Sequence, residues 1–155
     1  MKKSNIIICI LLLLFIISNF NSLNKLKVLV EEFIILCKAN ENYVSKAYNM
    51  DIISKEVIFH DIMFYGKDNE TNEYAYVFFV KRGIYKVYEN EGISKEEALQ
   101  VFKKYGKDVA LEDLSILVWS AFRKGENITE YLYWINESDY RYRVRFIDGV
   151  FYNFE

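Results

Sequence analysis

The chain holds one histidine, His60, and two cysteines, Cys9 and Cys37. A zinc site needs at least three protein ligands, and a Ser-His-Asp or Cys-His device needs its imidazole set against a nucleophile. Asp61 follows His60 directly, but neighbours on a strand point to opposite faces. Cys37 with His60 is a formal pair for thiol chemistry. A partly exposed strand histidine and a buried, inert cysteine account for them more simply. Three adjacent carboxylate pairs, Glu31-Glu32, Glu96-Glu97 and Glu112-Asp113, fall at expected helix starts or surfaces, where such charge is normally solvated. No GxGxxG, Walker loop, HExxH, CxxC or GxSxG occurs. The expectation is a protein without catalysis, metal or cofactor.

One segment carries patterned charge. In Tyr140-Arg141-Tyr142-Arg143-Val144-Arg145-Phe146 the residues alternate strictly. On a strand, Tyr140, Tyr142, Val144 and Phe146 share one face, while Arg141, Arg143 and Arg145 line the other, about 6.6–7 Å apart. Such a ladder is a candidate grip for an anionic partner, an acidic protein face or a wall polymer. The plainer alternative is a solvated face paired with cross-strand acids such as Glu130.

The elements that position this segment begin with an apolar run. Lys2 and Lys3 precede Ile6–Ile17, and with its flanks to Phe20 the stretch reaches about 17 residues, the lower limit for a hydrocarbon core of about 30 Å. It is a cleaved signal peptide or an uncleaved anchor. Ser18-Asn19-Phe20 and Asn21-Ser22-Leu23 lack a small-x-small cleavage pattern, which favours the anchor. Lys2 and Lys3 keep the amino terminus in the cytoplasm, so the body is expected to face outward. Beyond residue 20, 18 Lys and Arg stand against 22 Asp and Glu, a net of −4. No basic excess is present to counter phosphates, and nucleic acid is not an expected partner. The lone Cys37 in the body gives no disulfide framework.

The 155-residue length gives one ordinary domain or two very small ones, and the 52% hydrophobic content excludes disorder. The Ile, Asn, Lys and Tyr excess leans towards an AT-rich bacterial genome. From Leu26 to Tyr48 the spacing of Leu26, Leu29, Val30, Phe33, Leu36 and Cys37 predicts a helix with one apolar face. Strands are predicted over 56–64, 74–80 and 84–88. Ser94 then opens a second helix as its N-cap, with Glu97 completing a capping box and Gly106 in the left-handed position beyond its end. Strands are predicted over 114–122, 128–135, 140–147 and 150–154, the last two joined by a two-residue Asp148-Gly149 turn. The fold class is therefore α+β: an N-terminal anchor helix, then helix plus antiparallel meander, twice. The corresponding divisions are 1–23, 24–91 and 92–155.

In this layout the chain resembles the TseB-like family of bacterial cell-wall elongation regulators, whose extracytoplasmic part is built from PepSY-like (cystatin-like) units. The residues that carry the resemblance are Gly92-Ile93-Ser94-Lys95-Glu96-Glu97-Ala98, Trp119, and Tyr140-Arg141-Tyr142 leading to Phe146-Ile147-Asp148-Gly149. It is best over 92–155; over 44–88 only Tyr74-Ala75-Tyr76-Val77 agrees. Ser120-Ala121 after Trp119 departs from the acidic-apolar continuation of the family. The resemblance implies a non-catalytic, single-pass membrane protein that binds a penicillin-binding protein and modulates wall synthesis. A PepSY-type protein that restrains a surface peptidase is the alternative.

Overall fold

The computed structural model describes residues 27, 30, 34, 35, 37–59, 61–81, 83–119, 123 and 125–154. The apolar run expected to form the anchor, and His60, lie outside the described residues. No helix among the described residues is long and apolar enough to cross a membrane. The chain divides into two units, Met1–Cys37 and Lys38–Glu155. In the first, residues 27, 30, 34, 35 and 37 are helical. Val30, on the face expected to be buried, is 49% exposed. Cys37 is exposed as well, which corrects the expectation of a buried thiol.

The predicted helix over Leu26–Tyr48 is not continuous. It breaks at Ala39 and Asn40, and a new helix, α1 (Glu41–Tyr48), starts where the Asn40 side chain accepts from the Tyr43 N–H at 2.9 Å. Asn favours the cap because its short amide satisfies one of the four orphan N–H groups of a helix start. Asn49 closes α1 in the left-handed conformation.

Two four-stranded antiparallel sheets follow. The first runs β1 (Met50–Ile58), β2 (Asp61–Asp68), β3 (Tyr74–Val80) and β4 (Gly83–Tyr88), each strand beside the next. The sequence predicts three strands here; the structure has four. The run 56–64 is cut at Phe59, whose φ is 57°, so its first part ends β1 and its second part opens β2. An aromatic residue at positive φ is uncommon, and nothing in its identity signals a turn.

After a 3₁₀ turn comes α2 (Lys95–Lys104), and Ser94 and Glu97 form the capping box the sequence predicts. Ser94 Oγ accepts from the Glu97 N–H at 3.1 Å, and the Ser94 N–H donates to Glu97 at 2.8 Å. Beyond the helix, Gly106 sits at φ 71°, as its position predicts. Its N–H donates to Lys103 O, and the Lys107 N–H reaches Phe102 O, the paired bonds of a Schellman cap.

The second sheet runs β5 (Leu114–Val118), β6 (Leu132–Asn136), β7 (Asp139–Arg145) and β8 (Phe151–Asn153), again in chain order. Its strands are shorter than predicted. Residues Ile128–Tyr131 form a 3₁₀ turn rather than the start of β6. Trp119 lies just past β5, its N–H bonded to Tyr131 O. The β7–β8 connection is also longer than two residues. Arg145 N–H bonds Val150 O and Gly149 N–H bonds Arg145 O, so Phe146–Gly149 forms a four-residue turn with Gly149 at φ 70°.

One cluster of side chains joins both sheets. Met63, Tyr76, Phe78 and Val87 of the first sheet belong to the same buried group as Phe102 of α2, Trp134 of the second sheet and Phe146 just past β7. Tyr76 meets both Trp134 and Phe146 edge-on, at 6.3 and 6.4 Å between ring centroids. The opposite face of the first sheet is also covered: Tyr43 of α1 meets Phe79 edge-on. β3 is therefore buried on both sides, which explains its unbroken apolar run from Ala75 to Val80.

Candidate functional site

β7 carries the arginine ladder, and the alternation read from the sequence holds where the core is deepest. Val144 and Phe146 are fully buried on the inner face. Tyr142 is partly buried, and Tyr140, at the strand's open end, is 38% exposed. The three arginines alternate to the outer face, but they do not converge into one clamp.

Arg141 turns back to its own strand. Its Nε and Nη2 donate to the two oxygens of Asp139 at 2.8 and 2.7 Å. This fork geometry raises the Arg141 pKa and holds the Asp139 carboxyl below its ordinary value. Arg145 does the same with Asp148 in the following turn, again through two hydrogen bonds. The pair raises the Arg145 pKa and lowers that of Asp148. The acids that neutralise the ladder are thus local, two or three residues away, and not Glu130 across the sheet. Pairs this exposed contribute orientation more than stability.

Arg143 differs from both. Its Cζ lies 3.6 Å from the Trp119 ring centroid and 4.5 Å from that of Phe154. Nε donates to Tyr140 O at 3.0 Å, while the buried Nη1 has no hydrogen-bond partner among the described residues. Burial pushes the Arg143 pKa down, with Tyr133 opposing. A guanidinium is flat and more weakly hydrated than an ammonium, so it can stack on the rings at a smaller desolvation cost.

Aromatic rings tile the rest of this face. Trp119 and Phe154 stack at 5.3 Å, Tyr152 and Phe154 at 5.9 Å, and Tyr133 meets Trp119 and Tyr152 edge-on. The register explains the gathering: Arg143 stands opposite Tyr152 on one side and Ile135 on the other, and Tyr133 stands opposite Arg145. Side chains at matched positions of antiparallel neighbours share a face. Sequence reasoning singled out the arginines but missed the ring partners. Tyr152 and Phe154 alternate visibly; the approach of Trp119 has no local signal.

A second polar centre was not foreseen. Asp68, 2% exposed at the end of β2, accepts from Lys86 Nζ and from the Tyr88 hydroxyl at 2.8 Å. It also takes the Glu70 N–H at 2.7 Å and the Thr71 N–H at 3.3 Å. Hydrogen bonds from Lys86 and Tyr88 hold its carboxyl well below the usual range, against the opposing effect of burial. For Lys86 burial acts downward, yet the bonds to Asp68 and Tyr88 carry its pKa upward. This network ties the β2–β3 turn to β4.

No group of His, Cys, Asp and Glu that could hold a metal ion occurs among the described residues. No family model matches the chain, and no curated protein matches it. Among solved structures it is similar to the YpmB protein from Bacillus subtilis, with a TM-score of 0.42 and 18% identity, over 66% of this chain and 84% of that one. A likeness this slight says nothing of function.

Proposed function

We propose that the chain is a non-catalytic binding or regulatory protein, held in the cell membrane by its N-terminal apolar run, with its two sheets outside. It acts as the TseB-like resemblance implies, through contact with a penicillin-binding protein. The observation that supports this reading is Arg143. Its partly buried guanidinium lies against two rings, with the buried Nη1 donor unfilled and no carboxylate paired to it among the described residues. Trp, Tyr and Arg set together on a sheet face are the residue types that dominate protein-interface energetics. Arg141 and Arg145, matched by their own aspartates, frame that centre and set its orientation.

The test is site-specific photo-crosslinking from Tyr152 in the full chain, in native membranes. The expected product is an adduct with a penicillin-binding protein that Arg143→Gln depletes. An adduct with a peptidase instead supports the restraint of a surface peptidase. Absence of any adduct from this face overturns the assignment of the contact surface.

A further inference from the structure

A separate site lies where the end of α2 meets the start of β7. There an open cleft of about 290 Å³ is lined by Phe102, Lys107, Asp108, Val109, Asn136, Asp139 and Tyr142. Asn136 is only 8% exposed. Its Oδ1 accepts from the Ser138 N–H at 3.0 Å and the Ser138 hydroxyl at 2.8 Å. Those two donors fix which way the amide faces, because only the carbonyl oxygen can accept them. Nδ2 is left as a donor with no acceptor among the described residues.

The cap of α2 delivers a second donor. Gly106 in its left-handed conformation turns the chain so that the Lys107 N–H returns to Phe102 O at 3.0 Å. The Lys107 side chain then lies with Nζ 3.5 Å from the Tyr142 ring centroid. No carboxylate forms an ion pair with it among the described residues. Asp139 feels the Lys107 charge, while its two oxygens accept from Arg141. Phe102 and Val109, both buried, supply apolar walls. The cleft thus offers one cation and one amide donor, neither hydrogen-bonded among the described residues, beside a small apolar surface and with the Asp108 and Asp139 carboxylates in the same lining. One cation suits a single negative charge; a phosphate dianion would require more.

We propose that this cleft binds a carboxylate carried on a short apolar group, with Lys107 Nζ and Asn136 Nδ2 as its donors. The C-terminus of a peptide and a free small organic acid share that chemistry. The inference rests on the cleft and not on the arginine face.

Titration of the isotope-labelled full chain tests it, read at the Asn136 side-chain amide protons. N-acetyl-L-alanine is expected to shift them saturably, and its uncharged C-terminal amide is not. Lys107→Gln should weaken the acid by about tenfold, the effect of losing one charge-assisted hydrogen bond in a half-open site. Asp108→Asn should tighten it by about two- to fivefold, because an exposed repelling charge is removed. Acetate binding as well as N-acetyl-L-alanine supports the site and makes free acids its source; much weaker acetate binding points to peptide ends. Equal response to the acid and its amide, no response at Asn136, or unchanged affinity in a folded Lys107→Gln protein overturns the proposal.

Discussion

The backbone of Gly92 runs so close to Phe146 that a Cβ at position 92 would overlap the Phe146 ring and its carbonyl oxygen. Gly92 is extended, at φ −151°, so the position needs glycine for space and not for a left-handed turn. The same crossing is tied by the Ile93 N–H to Phe146 O at 2.7 Å and by the Trp134 indole N–H to Ile93 O at 3.1 Å. Gly92→Ala is expected to lower stability by about 1–3 kcal/mol through overpacking. Chemical unfolding measures it, and an unchanged midpoint would show that the Phe146 ring can move aside.

Loss of the α2 cap is the next expectation. Ser94→Ala removes the acceptor for the Glu97 N–H and should cost about 0.5–2 kcal/mol. Ser94→Gly should cost only a few tenths, because glycine leaves the cap open to water. The ordering of the two variants in thermal unfolding decides whether the cap or the helix contacts matter.

The arginines should separate by role. Arg141→Gln is expected to leave the unfolding midpoint where it is, since its partner Asp139 stays solvated. Arg143→Met keeps a long apolar stem against Trp119 and removes a buried donor without a partner, so stability should hold or rise slightly. Its capture of a protein partner should nevertheless fall. Phe146→Ala, by contrast, should cost about 3–5 kcal/mol. If Arg143→Met unfolds the protein, the guanidinium is structural and the interface reading loses its support.

Acid should find Asp68. Its carboxyl titrates below the ordinary value in the folded state, and in the unfolded chain it returns to about 3.9. A depressed folded pKa means the unfolded state binds the proton more tightly. The stabilisation is therefore fully present above about pH 4 and is lost as pH falls below it. Asp68→Asn is expected to cost about 2–3 kcal/mol at pH 7, the range for hydrogen bonds to a charged group. The gap to the parent protein should narrow by pH 2–3 in urea unfolding. A gap that is constant with pH would mean that the network is not ionic.

Much of the fold could be read locally because its signals and partners lie within one or two turns of chain. The Ser94–Glu97 box, Gly106 past the helix end and the inward turn of Val144 and Phe146 all depend on spacings of two to four residues, or on steric limits at one residue. The division into two antiparallel sheets followed from the order of such segments. The break at Phe59 was not legible, since residues 56–64 are uniformly apolar or β-prone and Phe59 carries no turn chemistry. The break at Asn40 carried a capping residue, but the apolar spacing masked it.

What the tertiary structure alone decided is which distant side chains meet. Asp68 finds Lys86 and Tyr88 across two strand crossings, 18 and 20 residues on. Arg143 stacks on Trp119 from two strands away, and Asn136 and Lys107 come to one cleft from different elements. Alternation says which face a residue takes, yet it does not say who stands opposite. That depends on register and turn length, and one residue of slip reverses every face. The sequence by itself therefore determined that β7 would carry three arginines outward. Two are matched by aspartates close in the chain, while the third is left among aromatic rings because the sheet brings Trp119 and Phe154 to it.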